Sequence, residues 1–229
     1  MSRSFNGTTS DYMRSVVGAL SGYPVSLSVW VRPTSAGVRG VPIWFGNPGT
    51  NDGALSVELL ASGSGGTVAA TRQISDFSAG NFKNATTAGT WTVDTWQQVG
   101  GAFASAASIY AVLNGVRSTE QTATSTGLSF AVMDELTLGR YDRANVFGSQ
   151  NGQIAHAAIW SAALTETEWA SLGAGISPMR VRPDLLHAYF PFLGRDTNDI
   201  DIIRAKTFTA TGTTVSPEEP PVIWPWQTP

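Results

Sequence analysis

The chain of 229 residues contains no cysteine and few charged residues. Without thiols it forms neither a disulfide framework nor a thiolate metal site, so nothing in it points to an oxidising compartment. Charged residues make up 14% of the sequence, against about 25% in an average domain, and the net charge of −3 argues against nucleic-acid binding. A weakly charged exterior is typical of protein interfaces and also of a neutral composition, and both interpretations stay open.

Long apolar runs are also absent. The N-terminal residues contain no run of about 7 to 15 apolar residues of the kind a signal peptide needs, and no stretch approaches the roughly 18 residues of a membrane span. We therefore expect a soluble protein that is made and kept in a cytoplasm. All-β sandwiches of about 200 to 250 residues commonly fold as one unit, so one domain with a cross-link-free core is expected.

Alternating apolar residues predict strands, most clearly over residues 25–32. Val25, Leu27, Val29 and Val31 fall on one face, and Pro33 predicts the end of the strand because it lacks a ladder donor. Asn114-Gly115 predicts a hairpin. Shorter segments of strand character, separated by Gly, Asn, Ser and Pro, are 41–45, 54–60, 67–74, 96–103, 109–113, 116–122, 135–140, 153–160 and 185–192. This spacing predicts an all-β fold with two antiparallel sheets.

One short helix is predicted near residues 166–172. Thr165 and Glu168 have the spacing of a capping box, and Gly173 is expected to close the helix in the left-handed conformation. Trp169 and Leu172 lie three positions apart and are expected to share a core-facing side. The predicted organisation is a sandwich over residues 1–195, followed by a C-terminal extension over residues 196–229. From Ser216 this extension is rich in proline and is expected to run as an extended arm.

Several segments, in this order, resemble the laminin-G-like, concanavalin-A-like jelly-roll family. They are SFNGTTSDY at 4–12, LSVWVRP at 27–33, WQQV at 96–99, IYAVLNGV at 109–116 and GQIAHAAIWSAALTETE at 152–168. The resemblance covers about residues 4 to 175 and implies a two-sheet jelly-roll sandwich. Residues 175–196 and the closing PPVIWP stretch resemble an extension found in laminin-G-like proteins of tailed bacteriophages, which implies a virion structural protein.

Catalysis is not expected, because no pair of acids suits a glycosidase. Some jelly-roll relatives are glycoside hydrolases, which place two carboxylates across one cleft. Glu166 and Glu168 fall in the first turn of the predicted helix, where acids stabilise the helix dipole. Asp134 and Glu135 are adjacent on a strand, so their side chains point to opposite faces.

The two histidines and one acidic loop are the remaining candidates for chemistry. His156 and His187 have no Gly-x-Ser-x-Gly elbow beside them, so packing or structural hydrogen bonds are the favoured roles. Asp142 and Asn145 offer oxygen ligands for a structural calcium ion of the kind many family members hold. Arg143 between them argues against a metal, and a plain polar loop is favoured. No cofactor is expected.

Eight tryptophans in a weakly charged chain suggest a binding surface, because tryptophan is enriched at interaction hot spots. Trp30, Trp160 and Trp169 are expected to pack in the core. The proline-rich tail supplies the candidate partner-binding residues, which are Pro221, Trp224, Pro225 and Trp226. Such an arm either clasps a neighbouring subunit or lies on its own domain, and both alternatives stay open.

Two functions follow as hypotheses. The first is a bacteriophage capsid decoration (cement) protein that binds the capsid or other virion proteins, self-associates on the particle and stabilises it, without nucleic acid or membrane. It would be assembled in the host cytoplasm and located in the virion, on the capsid rather than the tail. The alternative is a carbohydrate-binding module of a tail or fibre, in which exposed Trp44 and Tyr141 stack against the rings of a surface glycan.

Overall fold

The chain folds into two antiparallel sheets that face each other across one apolar core. The computed structural model describes residues 1–50, 53–61, 66–73, 82–122, 128–142, 148–193 and 198–223. Its helix is α1 (Glu166–Gly173), and short 3₁₀ turns lie at Phe130–Val132, Pro178–Arg180 and Pro183–Leu185. The strands are β1 (Ser2–Asn6), β2 (Tyr12–Val16), β3 (Val25–Pro33), β4 (Gly40–Gly46), β5 (Ala54–Leu59), β6 (Thr67–Gln73), β7 (Phe82–Thr90), β8 (Gln97–Ser105), β9 (Ser108–Leu113), β10 (Val116–Arg117), β11 (Gln121–Thr122), β12 (Glu135–Leu138), β13 (Asn151–Trp160), β14 (Leu186–Phe190), β15 (Asn198–Ile200), β16 (Thr207–Thr211) and β17 (Thr214–Ser216).

Each sheet combines a run of consecutive strands with strands from distant parts of the chain. In the first sheet, sheet A, the order is β10-β9-β8-β3-β13-β1-β17, with β11 also paired to β9 and β14 to β13. In the second, sheet B, the order is β15-β16-β2-β12-β4-β5-β6-β7. Together with the resemblance in sequence, this arrangement confirms the predicted two-sheet jelly-roll sandwich.

The long strand β13 changes its neighbour at His156. Its first half pairs with β1 and its second half with β14, while β3 runs along the opposite edge and loses register between Ala155 and Ala158. His156 has a φ of 51°, a conformation that only a bulge or turn normally imposes on a side-chain-bearing residue. The strand predicted at 153–160 is therefore confirmed in kind, but its regular alternation is broken at its centre.

The core between the sheets also contains one buried ion pair. Arg3 on β1 and Asp199 on β15 lie in different sheets, and the Arg3 Nε–Asp199 Oδ2 distance is 3.0 Å. The other Asp199 oxygen accepts a hydrogen bond from the Leu193 amide at 3.1 Å. This pair joins the two sheets where residues 198–216 add strands to both of them. Residues 198–216, which belong to the predicted C-terminal extension, thus pair with strands of both sheets.

The centre of sheet A is buried on both faces because α1 packs on its outer side. Trp169 and Leu172 contact a second apolar cluster that contains Ala102 and Trp160, as their spacing predicts. A Cβ on Gly100 would lie 2.6 Å from the Trp169 ring, so the missing side chain leaves the space that the indole fills. Double burial explains why Ser26 and Ser28 of β3 are buried as completely as its valines.

The local signals at the helix and hairpin are largely confirmed. Thr165 and Glu168 form both hydrogen bonds of the capping box. Asn114 and Gly115 take φ values of 50° and 79° and join β9 to β10. The prediction for Gly173 is wrong, because that residue ends the helix itself and the left-handed position is Gly175, with a φ of 87°.

Most predicted strands are observed, with ends shifted by at most two residues. The segment predicted at 116–122 is two short strands, and β12 ends at Leu138 rather than at residue 140. Six further strands lie outside the predicted segments: β1, β2, β7, β15, β16 and β17. Trp30, Trp160 and Trp169 are buried as predicted.

Candidate functional site

The outer face of sheet B carries a row of mostly polar side chains that crosses the whole sheet. Residues opposite each other on antiparallel neighbours point to the same face, so the strand registers define this row. It runs through Thr209, Arg14, Thr137, Trp44, Ser56, Thr71 and Asn84. No helix lies over this face in the described residues, unlike the outer face of sheet A. Thr137, Trp44, Ser56 and Thr71 are at most 2% exposed, so a ligand can reach this row only near its ends.

An open cleft of about 450 Å³ lies at the β16–β2–β12 end of this face. Small-molecule sites are typically clefts of this order of size with a few placed polar groups. The lining residues are Arg14, Ser15, Val16, Glu135, Lys206, Thr207 and Thr209. We call this feature the sheet B cleft. Its walls offer a guanidinium, an ammonium, a carboxyl and hydroxyl groups, so it can both donate and accept hydrogen bonds.

Glu135 forms the floor of the sheet B cleft. Its side chain is only 5% exposed, and its Oε1 accepts a hydrogen bond from the Thr137 hydroxyl at 3.1 Å. Burial, followed by the charge of the Asp142 carboxylate, raises the pKa of Glu135 to about 7, against the opposing effects of Thr137 and Arg14. A carboxyl group that exchanges its proton near neutral pH in a cleft is a frequent mark of a functional site.

Asp142 lies beside Glu135 and is held by two arginines. Arg140 Nη2 lies 3.2 Å from Asp142 Oδ1, and Arg14 Nη1 lies 3.8 Å from Oδ2. The Arg140 guanidinium also stacks on Tyr12, with its Cζ 3.4 Å from the ring centroid. In the described residues no group of three or more His, Cys, Asp or Glu side chains is placed to hold a metal ion, and Asn145 lies outside that part of the chain.

The prediction that Trp44 and Tyr141 are exposed stacking platforms is wrong. Both side chains are 1% exposed and pack together with Val41 and Ala54 on the outer face of sheet B. The Tyr141 hydroxyl is hydrogen-bonded to Glu58, and burial raises the pKa of Tyr141 well above its usual range. A buried ring offers no face to a sugar, so neither residue can stack against a glycan in this structure.

The described part of the tail lies on its own domain. The Ile223 amide donates to the Gly175 carbonyl at 2.7 Å, and Ile223 forms a parallel bridge with Ile176 beyond the end of α1. Pro221 passes close to Gly175, where an added Cβ would meet its carbonyl oxygen at 2.0 Å. The other predicted tail anchors, Trp224, Pro225 and Trp226, lie outside the described residues.

The acids of the helix have structural partners. Glu166 pairs with Arg117 at 2.8 Å, and Glu168 pairs with Arg182 at the same distance while completing the capping box. Partial burial alone would raise the pKa of Glu168, but hydrogen bonds from Thr165 and the charge of Arg182 lower it overall. The dipole and capping role expected of these acids accounts for their positions.

The two histidines make the structural hydrogen bonds that were expected. His156 Nδ1 lies 2.5 Å from the Tyr189 hydroxyl, and burial lowers the pKa of His156 to about 3. His187 Nε2 lies 3.1 Å from the Gly18 carbonyl, and its Nδ1 lies 2.9 Å from Arg204 Nη2. Burial, followed by the charge of Arg204, lowers the pKa of His187.

Sequence reasoning did not find the residues of the sheet B cleft. Glu135 was considered only with Asp134, and Asp142 only with Asn145, while Arg14 and Lys206 were not singled out. The one local signal is the outward position of Arg14 in Tyr12–Val16, where Met13 faces the core. The cleft depends on pairing of β2 with β12 and β16, which no local pattern specifies. None of the described helices is long and apolar enough to cross a membrane.

Three solved structures illustrate the similarity in fold, and the descriptions of the second and third name carbohydrate binding or a bound saccharide. A native heptameric SAP-like pentraxin from Limulus polyphemus has a TM-score of 0.67 at 14% identity, over 94% of this chain and 95% of its own. A putative carbohydrate-binding protein from Bacteroides ovatus has a TM-score of 0.67 at 13% identity, over 97% of this chain but 62% of its own. The CBM40 of a Ruminococcus gnavus IT-sialidase, bound to α2,3-sialyllactose, has a TM-score of 0.52 at 12% identity, over 66% of this chain and 83% of its own.

At these identities the structural likeness concerns the fold alone. Comparison with curated protein sequences finds no match. A family model described as the concanavalin A-like lectin/glucanases superfamily matches residues 6–169, which is more than half of the chain. The segments that carry the resemblance in sequence fall almost entirely within that range. The chain therefore belongs to the concanavalin A-like lectin/glucanase superfamily, as a laminin-G-like member.

Proposed function

We propose that this chain is a carbohydrate-binding domain and that saccharides bind in the sheet B cleft. The observation that carries the proposal is the cleft itself, an open space of about 450 Å³ that joins charged groups to threonine hydroxyls. Sugar hydroxyls both donate and accept hydrogen bonds, so they need such a mixture of partners. The similarity to structures described as carbohydrate-binding supports the same proposal.

Binding without turnover is part of the proposal. Glu135 and Asp142 bring two carboxyl groups together, which a glycosidase also requires. Asp142, however, lies between Arg140 and Arg14, and its side chain is only 9% exposed. A carboxylate held in this way is positioned to orient Arg14 rather than to attack a sugar. Reducing-sugar release from bound glycans, abolished by Glu135→Gln, would contradict this part.

The capsid-decoration hypothesis stays a prediction. It depends on the resemblance of the C-terminal segments to phage proteins. The descriptions of the three structures named above do not mention a virion. The described part of the tail lies on its own domain rather than extending away from it. Carbohydrate binding is compatible with a tail or fibre location, which imaging of a labelled particle would test.

A glycan array probed with the full chain tests the proposed function. We expect specific saccharide binding that falls by about tenfold in Glu135→Gln, because the change replaces one acceptor oxygen on the floor of the sheet B cleft by an amide donor. Arg117→Ala is the matched control, because it removes an ion-pairing residue at the edge of sheet A. Absence of binding to every glycan, or equal loss in both variants, would refute the proposal.

A further inference from the structure

The two cations of the sheet B cleft are its most accessible charged groups. The Arg14 side chain is 49% exposed, and Lys206 is exposed at the start of β16. In the described part of the chain, the one ion pair of Arg14 is the 3.8 Å contact with Asp142, which is too long for a hydrogen bond. Over the same residues Lys206 has no ion-pair partner. Both cations therefore keep donors for a ligand.

The carboxyl group of Glu135 in the cleft and that of Asp142 beside it, in contrast, are recessed and already engaged. Glu135 is buried with Thr137, and Asp142 is buried with Arg140. A ligand that enters from solvent meets Arg14 and Lys206 before it approaches either acid. The accessible charge of the cleft is positive, although the net charge of the chain is −3.

Threonine hydroxyls flank these cations. Thr209 lies directly opposite Arg14 in the pairing of β16 with β2, and Thr207 lies on the same face two residues earlier. Cross-strand neighbours have Cβ atoms about 4.5 to 5.5 Å apart, which is within reach of a single sugar ring. A guanidinium binds a carboxylate through two parallel hydrogen bonds, whereas a neutral sugar uses only one or two of its donors.

We propose that the sheet B cleft binds an acidic saccharide, an inference that rests on the proposed function. The sugar carboxylate pairs with Arg14, Lys206 adds a second positive charge, and the hydroxyls of Thr207 and Thr209 bond the neighbouring ring hydroxyls. The ligand class is a saccharide that bears a carboxylate, such as a sialylated or uronate-containing oligosaccharide. This inference names the ligand class and leaves the wider carbohydrate-binding proposal independent of it.

The test compares saccharides that differ only in charge. The full chain is applied to an array of sialylated and uronate-containing glycans beside the same glycans with their carboxylates converted to methyl esters, and the best-bound pair is measured by calorimetric titration. We expect the acidic form to bind at least about tenfold more tightly. Raising the salt from about 0.05 to 0.5 M should weaken only the acidic form, because exposed charges are screened.

Variants separate charge recognition from a structural effect. Arg14→Gln should weaken the acidic form by about tenfold and leave the esterified form within about twofold, whereas Arg117→Gln should change neither. Equal affinity for the two forms, or equal losses of both in Arg14→Gln, would overturn the acidic-saccharide inference and leave carbohydrate binding intact. Absence of binding to all glycans, acidic and neutral, would overturn both proposals.

Discussion

The outer faces of the two sheets differ in what lies over them. On sheet A the helix α1 seals the face, and Trp169 fills the space above Gly100. On sheet B the corresponding face keeps a polar row, and its end opens into the sheet B cleft. The helix turns one face into a second core, whereas the exposed residues at the β16–β2 end of the other face leave a surface for ligands. Substitutions on the two faces should therefore separate stability from binding.

The largest expected effect comes from uncovering sheet A. Trp169→Ala should lower the free energy of unfolding by about 3 to 5 kcal/mol, because it removes a fully buried indole and leaves a cavity. Urea denaturation followed by circular dichroism measures the change. Thr167→Ala, on the exposed side of the same helix, is the control and should stay within about 0.5 kcal/mol. Similar small losses in both variants would show that α1 does not stabilise the sandwich.

A smaller loss of stability is expected when a side chain fills the space between α1 and Gly100. In Gly100→Ala the new Cβ would lie 2.6 Å from the Trp169 ring and 2.8 Å from the Leu27 carbonyl oxygen. Relieving such overlap typically costs about 1 to 3 kcal/mol. A double-mutant cycle with Trp169→Ala should recover part of the loss, because the smaller side chain removes one of the two clashes. Strict additivity of the two changes would contradict direct contact.

The sequence predicted those parts of the fold that depend on neighbouring residues. The alternation of residues 25–32, the capping box of Thr165 and Glu168, and the Asn114-Gly115 turn each act within a few residues. The strand, the cap and the hairpin that they predict are all observed. Trp44 illustrates the limit. Its strand was predicted, but its burial depends on Tyr141, which lies almost a hundred positions later in the chain.

The sheet B cleft could not be predicted for the same reason. Arg14, Glu135 and Lys206 come from widely separated segments, and only the order of strands in sheet B brings them together. The unusual conformation of His156 is equally non-local, because it marks where β13 exchanges β1 for β14. Local propensity carries no information about either feature.

The next effect is on sheet B, where Glu135 should make the free energy of unfolding depend on pH. The pKa of Glu135 is raised from 4.5 to about 7, so its contribution to stability is fully present below pH 4.5 and is lost as the pH rises through 7. Glu135→Gln should remove this loss. Since water still reaches the cleft, we expect the variant to gain about 1 kcal/mol relative to the wild type between pH 5 and pH 8. Urea denaturation at both pH values measures the gain, and parallel pH profiles would contradict the assignment.

The smallest effect on stability should accompany a clear effect on binding. Thr209→Val keeps the shape and the β-branched side chain at an exposed position of β16, so the free energy of unfolding should change by less than about 0.5 kcal/mol. The variant nevertheless loses a hydroxyl opposite Arg14, and glycan affinity should fall by about three- to tenfold. Thr167→Val makes the same chemical change on α1 and should alter neither quantity. Unchanged affinity in Thr209→Val would place the ligand away from β16, because a sugar seated beside Arg14 could not avoid this hydroxyl.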